Sequence, residues 1–356
     1  MAPFVVLEPE GLYADTSLEH TILSTSLSKL PFEVHQANLG EDLSYSTIPA
    51  ELRQRVNGLF VFRHWVKADD VDLFENLKVI VRMGVGYDRL DRVALDRNGV
   101  VVCNCPDYGT TEVADHAIGL ALSLRRGILL HHDAQRTLTS PEPALWEYIP
   151  SPLVQRPSVR TFGILGLGRI GTAVALRAKA LGWSKVVFFD PYLPNGVDRA
   201  LGIDRVRTKE ELFECSDTLS LHVPLTGETR GIVGKDLLGR MKKGSILVNT
   251  SRGGVVDLDA LEDALKSGKL AGAGLDVIPV EPAPRKPGQK EVENVHSLIQ
   301  AYRKGEEWLK GRLVITPHVA FYSQESWDDI RRLSCETMRD VLLDGLKTNV
   351  IRIEDE

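Results

Sequence analysis

The segment "TFGILGLGRIGTAVALRAKALG" (residues 161–182) decides the fold of this chain. An apolar run of strand type leads directly into the spacing Gly166-x-Gly168-x-x-Gly171, and a helical pattern begins at about Arg169. A lone glycine spacing of this kind occurs by chance, but the order of strand, turn and helix is typical of a βαβ unit that binds a dinucleotide. The segment therefore predicts a Rossmann-type domain.

Each glycine of the turn has a physical reason to be there. Gly166 permits the tight turn, Gly168 lets the backbone approach a pyrophosphate, and Gly171 lets the helix pack close to the sheet. Arg169 and Ile170 open the helix, where free N–H groups and the positive end of the dipole favour phosphate. We therefore expect all five residues to contact the cofactor.

The next apolar run supports NAD rather than NADP. It reads "KVVFFD" (residues 185–190) and ends in Asp190, nineteen residues after Gly171. Asp190 can accept hydrogen bonds from the adenosine ribose and would repel a 2′-phosphate, and the following Pro191 and Tyr192 supply no cation. A glycine-rich turn without a ligand and a domain that binds S-adenosylmethionine are the alternatives.

Short apolar runs alternate with helical patterns through most of the 356 residues. This alternation predicts an α/β protein with parallel sheets and helices on both faces. A long helix is predicted over residues 112–130, and Asp257 is a plausible N-cap of another helix. Residues 283–312 are polar and charged, and they break the alternation, so we interpret them as a surface insertion before the strand "LVITP".

Composition and charge exclude several classes of function. The net charge of -6 and the lack of a long Lys/Arg block argue against a nucleic-acid surface. No run of about 18 apolar residues predicts a membrane span, and "MAPFVVLEPE" does not resemble a signal peptide. The four cysteines lack the spacing of a zinc site, so we expect free thiols, no metal and a cytoplasmic or nuclear protein.

Three further strand-like runs are followed by side chains that could do chemistry. They are Arg252 in "VNTSRGGVVD" (residues 248–257), Glu281 in "AGLDVIPVEP" (residues 273–282) and His318 in "TPHVAFYS" (residues 316–323). Ligands of open α/β sheets bind beyond the carboxyl ends of the strands, so we expect these residues to meet in one crevice. Arg252 could instead be a surface ion-pair partner, Glu281 a turn residue, and His318 a packed core histidine or a metal ligand.

A fourth run, "VRMGVGYDRLD" (residues 81–91), places glycines directly after a strand. The exposed N–H groups of Gly84, Val85 and Gly86 could bind the carboxylate of a substrate.

The motifs together resemble the D-isomer-specific 2-hydroxyacid dehydrogenase family. The matching pieces are "RMGVGYDRLD", "GILGLGRIG", "LHVPLT", "LVNTSRGGVVD", "AGAGLDVIPVEP" and "TPHVAFYS", in the order of the family and over nearly the whole chain. The segment "VVVCNCPDYGTTEVADHA" and the aromatic residue after "TPHVA" resemble the C-terminal binding protein branch, whose members include transcriptional corepressors.

The resemblance implies that Arg252, Glu281 and His318 are the catalytic residues. Arg252 would grip the oxygens of a 2-keto acid, His318 would deliver or accept the proton, and Glu281 would fix the tautomer of the imidazole. The expected activity is NAD-dependent interconversion of a 2-keto acid and a D-2-hydroxy acid. The alternative is a corepressor-type protein that senses NAD(H) and has little turnover.

The family architecture implies two Rossmann-like domains with a cleft between them. A flavodoxin-like substrate domain would take residues 1–106 and 320–356, and the NAD-binding Rossmann domain residues 107–319. Residues 131–160 resemble a dimerisation arm, so we expect a homodimer. The family also suggests cofactor contacts from residues after four strands: His222, Val223, Pro224, Thr250, Ser251, Arg252, Asp276 and His318.

Overall fold

The computed structural model describes residues 2–39, 44–136, 146–281 and 295–352. The chain forms two compact units: Met1–Gly109 with Ser323–Glu356, and Thr110–Tyr322. These boundaries lie three residues after those expected from the sequence. Both units contain parallel sheets with helices, which confirms the predicted fold class.

The first unit has a five-stranded parallel sheet in the order β2-β1-β3-β4-β5, which is the flavodoxin-like order. Its strands are β1 (Phe4–Glu8), β2 (Phe32–Gln36), β3 (Val56–Val61), β4 (Val79–Arg82) and β5 (Val101–Asn104). Its helices are α1 (Ser17–Leu23), α2 (Ala50–Arg55), α3 (Ala68–Val71), α4 (Arg92–Arg97) and the helix Gln324–Met338, which continues as a π-helical turn Arg339–Leu343. The edge strand β2 was not predicted because its residues, "FEVHQ", alternate between apolar and polar and so lack the continuous apolar run that marks β1, β3, β4 and β5.

The second unit has a seven-stranded parallel sheet in the order β12-β11-β10-β9-β6-β7-β8. Its strands are β6 (Thr161–Leu165), β7 (Lys185–Phe189), β8 (Asp204–Arg205), β9 (Thr218–Leu221), β10 (Ser245–Asn249), β11 (Leu270–Leu275) and β12 (Leu313–Ile315). Its helices are α5 (Thr110–Arg125), α6 (Ile128–Arg136), α7 (Arg169–Ala180), α8 (Val197–Leu201), α9 (Lys209–Cys215), α10 (Lys235–Arg240), α11 (Leu258–Lys266) and α12 (Ser297–Lys304). The strand order reverses between β6 and β9, and ligands of such sheets bind at the carboxyl ends of the strands beside this point.

The long helix predicted over residues 112–130 is wrong in one respect, because the structure divides it. Helix α5 ends at Arg125 and α6 begins at Ile128. Gly127 between them has φ +61°, a left-handed conformation that ends a helix and favours glycine. The predicted arm of residues 131–160 thus begins inside α6, and its residues 137–145 lie outside the described residues.

The predicted surface insertion also needs correction. Residues 283–294 lie outside the described residues, but residues 295–312 form α12 and a 3₁₀ turn. Leu298, Ile299 and Leu309 are buried in the core cluster beside α11. The guanidinium of Arg312 donates to the carbonyl oxygens of four residues, which are Leu265, Leu270, Ala271 and Trp308. The polar composition of the segment concealed a packed face of α12, so this half belongs to the core.

Within the described ranges, no helix is both long and apolar enough to cross a membrane.

Candidate active site

The glycine-rich turn lies between β6 and α7. Gly166 has φ +86°, and a Cβ there would approach the carbonyl oxygen of His222 to 2.9 Å. A Cβ on Gly171 would lie 2.2 Å from the carbonyl oxygen of Gly166, so the helix could not pack so close with any other residue. A Cβ on Gly168, by contrast, would meet no atom within 4 Å. Gly168 is also the N-cap of α7, and this open space therefore lies where the helix presents its free N–H groups.

Arg169 and Ile170 form the first turn of α7, as predicted, and Arg169 is exposed. Asp190 follows β7 and turns its carboxylate back to the glycine-rich turn. One oxygen accepts a hydrogen bond from Leu167 N at 2.9 Å, and the other from Tyr192 N at 3.0 Å. These two bonds fix the orientation of the carboxylate at the end of the strand, beside the start of α7. Its remaining lone pairs are acceptors for hydroxyl groups.

The segment after β9 is apolar around an uncharged histidine. Burial lowers the pKa of His222 to about 3, so the imidazole is neutral at physiological pH. Its Nε2 lies 2.8 Å from Ser220 Oγ. Val223 lines the underside of Gly166, and the carbonyl oxygen of Pro224 accepts from a threonine hydroxyl later in the loop. These residues add no charge beside the glycine-rich turn.

The loop after β10 holds Thr250, Ser251 and Arg252 in a fixed conformation. Asn249 Oδ1 accepts from the N–H and the hydroxyl of Ser251, and Asn249 Nδ2 donates to the carbonyl oxygen of Arg252. The guanidinium of Arg252 donates to the carbonyl oxygen of Ser251 at 2.8 Å. The hydroxyl of Thr250 is buried and has no hydrogen-bond partner among the described residues. An orphaned buried hydroxyl is a polar group that a bound ligand can satisfy.

The loop of Arg252 lies against the chain that follows β11. A Cβ on Gly253 would lie only 2.0 Å from the carbonyl carbon of Ile278, so the two backbones touch at a glycine. β10, β11 and β12 are adjacent parallel strands, and Arg252, Asp276 and His318 follow their carboxyl ends. The three residues therefore lie along one edge of the sheet.

His318 and Glu281 meet directly. The Nδ1 atom of His318 lies 2.8 Å from one carboxylate oxygen of Glu281 and 2.9 Å from the other. The two side chains are 36% and 28% exposed, so both are open to a ligand on one side. Because Nδ1 faces the carboxylate, Nε2 is the ring nitrogen left to exchange a proton with a substrate. His318 has φ +53°, an uncommon conformation for a residue with a side chain.

Asp276, predicted as a cofactor contact, accepts hydrogen bonds from the turn that contains His318. Its side chain is fully buried, and its two oxygens accept from Thr316 Oγ1, Val319 N and Ala320 N. His116 on α5 contacts the same network through Thr316, at 2.9 Å. His116 and Thr316 were not among the predicted site residues. The available signal was a histidine within the apolar pattern of a helix predicted to be buried.

The predicted substrate contacts Gly84, Val85 and Gly86 belong to the first unit. Gly84 has φ +146°. Its carbonyl oxygen accepts from Cys105 N at 3.1 Å, and that of Val85 from Asn104 Nδ2 at 2.8 Å. The loop is thus held by the chain that follows β5, and its role as a substrate contact stays a prediction.

Within the described ranges, no group of three or more metal-ligating side chains could hold a metal ion. The four cysteines are free thiols, as expected.

Comparisons with family models, with protein sequences and with solved structures relate this chain to the same family. Residues 118–320 match the family model "D-isomer specific 2-hydroxyacid dehydrogenase, NAD binding domain". D-3-phosphoglycerate dehydrogenase of Methanocaldococcus jannaschii is 35% identical over 81% of this chain, and C-terminal-binding protein 1 of Caenorhabditis elegans is 34% identical over 81%. The matches span 50% and 37% of the lengths of those two relatives.

Among solved structures, D-mandelate dehydrogenase of Rhodotorula graminis superimposes with a TM-score of 0.80. The match covers 99% of this chain and 98% of the other at 27% identity.

Proposed function

The chain belongs to the D-isomer specific 2-hydroxyacid dehydrogenase family, and from that premise we propose that it interconverts a 2-keto acid and a D-2-hydroxy acid with NAD as cofactor. The observation that carries the proposal is the contact of His318 with Glu281 at 2.8–2.9 Å, in the unit that also contains the glycine-rich turn. A proton-transfer group and a dinucleotide site in one unit are the two parts that this reaction requires.

The residues present fit a nicotinamide dinucleotide. Gly168 offers open space at the N-terminus of α7, and the buried hydroxyl of Thr250 lacks a partner among the described residues. In the proposal, Gly166, Gly168, Arg169, Ile170 and Gly171 hold the pyrophosphate. The nicotinamide ring, when bound, supplies or accepts the hydride at C2 of the substrate.

Proton transfer falls to His318. In the reduction, the protonated ring donates its Nε2 proton to the oxygen on C2, and in the oxidation the neutral Nε2 takes that proton back. The carboxylate of Glu281 holds Nδ1 protonated in both directions, so only Nε2 changes its state. Glu281 also stabilises the positive charge that the ring carries before reduction.

Substrate orientation falls to Arg252. Its planar guanidinium presents paired donors to carboxylate or keto oxygens. The backbone N–H groups of Gly84, Val85 and Gly86 are proposed as a second group of donors for the substrate carboxylate.

The proposed preference for NAD over NADP rests on Asp190. Its carboxylate is oriented by two backbone N–H groups and keeps lone pairs for the ribose hydroxyls. A 2′-phosphate at that position would bring two negative charges together, which is unfavourable.

We also infer that the chain forms a homodimer through its arm. Trp146 and Tyr148 follow the undescribed part of the arm and are 85% and 83% exposed. Large exposed aromatic side chains are typical of protein interfaces. Light scattering after size exclusion should give a dimer for the wild type and a smaller mass for Trp146→Ser with Tyr148→Ser. A monomeric wild type at all concentrations would contradict the inference.

The activity is tested by NADH oxidation with a panel of 2-keto acids, and by NAD reduction with D-mandelate and D-3-phosphoglycerate. His318→Gln should lower kcat about a thousandfold and leave the Kd for NADH within twofold of wild type, because in the proposed reaction Nε2 acts on the substrate oxygen and glutamine keeps a polar side chain beside the cofactor. The control is His20→Gln, which makes the same change at an exposed histidine of α1 and should retain full activity.

Absence of turnover with every acid would reject the enzyme. The relative from Caenorhabditis elegans motivates the second candidate, a corepressor-type protein that binds NAD(H). Tight binding of NADH with NADH-dependent dimerisation and no turnover would favour that candidate.

A further inference from the structure

Helix α5 lies unusually close to strand β11 because two glycines of the strand face it. A Cβ on Gly274 would lie 3.1 Å from Leu120 Cβ, and a Cβ on Gly272 would lie 3.2 Å from a methyl group of Leu124. Four residues of a helix rise about 6 Å and two residues of a strand about 6.6 Å, so the two elements keep matching positions as they run antiparallel. One step further toward the carboxyl end of β11, this register brings His116 to Asp276.

This register places His116, Thr316 and Asp276 in a series of hydrogen bonds in which each donor and acceptor is determined. Thr316 Oγ1 lies 2.6 Å from Asp276 Oδ1 and 2.9 Å from His116 Nε2. A carboxylate only accepts, so the single hydroxyl hydrogen of Thr316 points to Asp276. His116 must then donate from Nε2 to Thr316, which fixes its tautomer. His116 Nε2 is also within 3.7 Å of the same carboxylate oxygen.

Asp276 in turn holds the backbone of the turn that carries His318. Its carbonyl oxygen accepts from His318 N at 2.8 Å, and its carboxylate accepts from Val319 N at 3.0 Å and Ala320 N at 2.9 Å. His318 itself has φ +53°. A left-handed conformation at a residue with a side chain costs of order 1 kcal/mol or more and persists only where its surroundings impose it. Asp276 imposes it here.

We propose that His116 is a positioning residue for His318. By donating to Thr316 it fixes the hydroxyl that orients Asp276, and Asp276 keeps the imidazole of His318 against Glu281. This role rests on the proposed function, in which His318 transfers the proton. His116 acts at a distance from the reacting atoms, so its loss should lower kcat and leave cofactor binding unchanged.

The solvent exposure of His116 and of Asp276, at the two ends of this series of hydrogen bonds, distinguishes a positioning role from a merely structural one. The side chain of His116 is 25% exposed, so water could satisfy its ring without Thr316. The carboxylate of Asp276 is fully buried and accepts from Thr316 Oγ1, so solvent cannot take the place of that hydroxyl if it moves when His116 is lost. The consequence of losing His116 should therefore appear at the turn of His318 rather than in the packing of α5.

The experiment uses two pairs of variants in the full chain. His116→Leu removes the donor, and His116→Gln places an amide N–H near the position of Nε2. Thr316→Val removes the hydroxyl at nearly constant volume, and Thr316→Ser restores it. His116→Leu and Thr316→Val should lower kcat about tenfold, with KM and the Kd for NADH within twofold, because small displacements of a reacting group are costly. His116→Gln and Thr316→Ser should recover most of the loss.

A second measurement does not depend on turnover. In protein with ¹³C-labelled histidine, the Cε1–H resonance of His318 is assigned by its loss in His318→Gln. That resonance should shift or broaden in His116→Leu and Thr316→Val and return toward wild type in the two conservative variants. Unchanged kcat and an unchanged resonance in both apolar variants would overturn the proposal, as would a loss of NADH binding in step with kcat. If the wild type turns over no keto acid, the proposed function fails, and the resonance alone decides the role of His116.

Discussion

The substitution Glu281→Gln tests the charge of the carboxylate beside His318 without removing its hydrogen-bond acceptor. Both carboxylate oxygens lie within 2.9 Å of Nδ1, and glutamine can still accept from Nδ1 through its amide oxygen. The variant should therefore keep the tautomer and lose the negative charge beside the ring.

The size of the effect follows from distance and exposure. Two unit charges about 4 Å apart interact by about 4 kcal/mol near a protein surface and about 1 kcal/mol in water. The side chains of His318 and Glu281 are 36% and 28% exposed, so solvent screens a large part of the attraction. We take about 1 to 2 kcal/mol, which is roughly a tenfold change in a rate that depends on this attraction.

Both directions of the reaction should lose activity together, because the proton passes through the same Nε2 atom in each and the positively charged ring takes part in both. At one pH the loss of kcat/KM must be the same in the two directions, since a substitution that leaves cofactor binding unchanged does not alter the equilibrium constant. We expect kcat/KM for the keto acid and for the hydroxy acid to fall about tenfold, measured from the NADH absorbance.

The control for this substitution is Glu307→Gln, which removes an exposed carboxylate paired with Lys310 at 3.8 Å. It should retain the wild-type kcat/KM in both directions. Wild-type kcat/KM in Glu281→Gln would refute the electrostatic role of Glu281 and leave it a purely geometric one.

Three further substitutions test the cofactor site and its surroundings. Gly168→Ala should leave the thermal unfolding temperature within a few degrees of wild type, since a Cβ at this position has no atom within 4 Å, but should weaken NADH binding at least about tenfold by fluorescence titration. Asp190→Ser removes the charge that opposes a 2′-phosphate and should raise kcat/KM for NADPH relative to NADH about tenfold or more. Burial lowers the pKa of His222 from 6.5 to about 3, so the unfolded chain binds one more proton below pH 6.5. The free energy of unfolding should fall by about 2 kcal/mol from this group between pH 7.5 and pH 5, and His222→Asn should remove that part in urea titrations.

The parts of the site that could be predicted from the sequence are those that local order determines. The glycine-rich turn is bounded by a strand and a helix within residues 161–182, so its structure needs no information from elsewhere in the chain. Parallel strands end at a common edge, and this rule was enough to bring Arg252 and His318 to the same side of the sheet.

The parts that could not be predicted depend on packing between distant elements. His116 meets Asp276 only because α5 approaches β11 over Gly272 and Gly274, and this register is a property of the assembled unit. The buried face of α12 was missed for a related reason. Its apolar residues are few and lie among charged ones, so the composition indicated a surface segment. The packed face follows from the spacing of those apolar residues, which matches the 3.6-residue period of a helix.

The contact between His318 and Glu281 also explains why a long intervening segment does not disturb the site. The two residues lie 37 positions apart in the sequence, and residues 282–294 between them lie outside the described part of the chain. β11 and β12 nevertheless pair in parallel with Leu275 opposite Ile315, so the sheet fixes the two strand ends from which the chain continues to Glu281 and His318. Arg312 lies directly before β12 and donates hydrogen bonds to four carbonyl oxygens, which anchors the end of the intervening segment. The geometry of the pair is thus set by the register of two strands, and the length of the chain between them can vary without changing it, because lengthening a loop adds little to the cost of bringing its ends together.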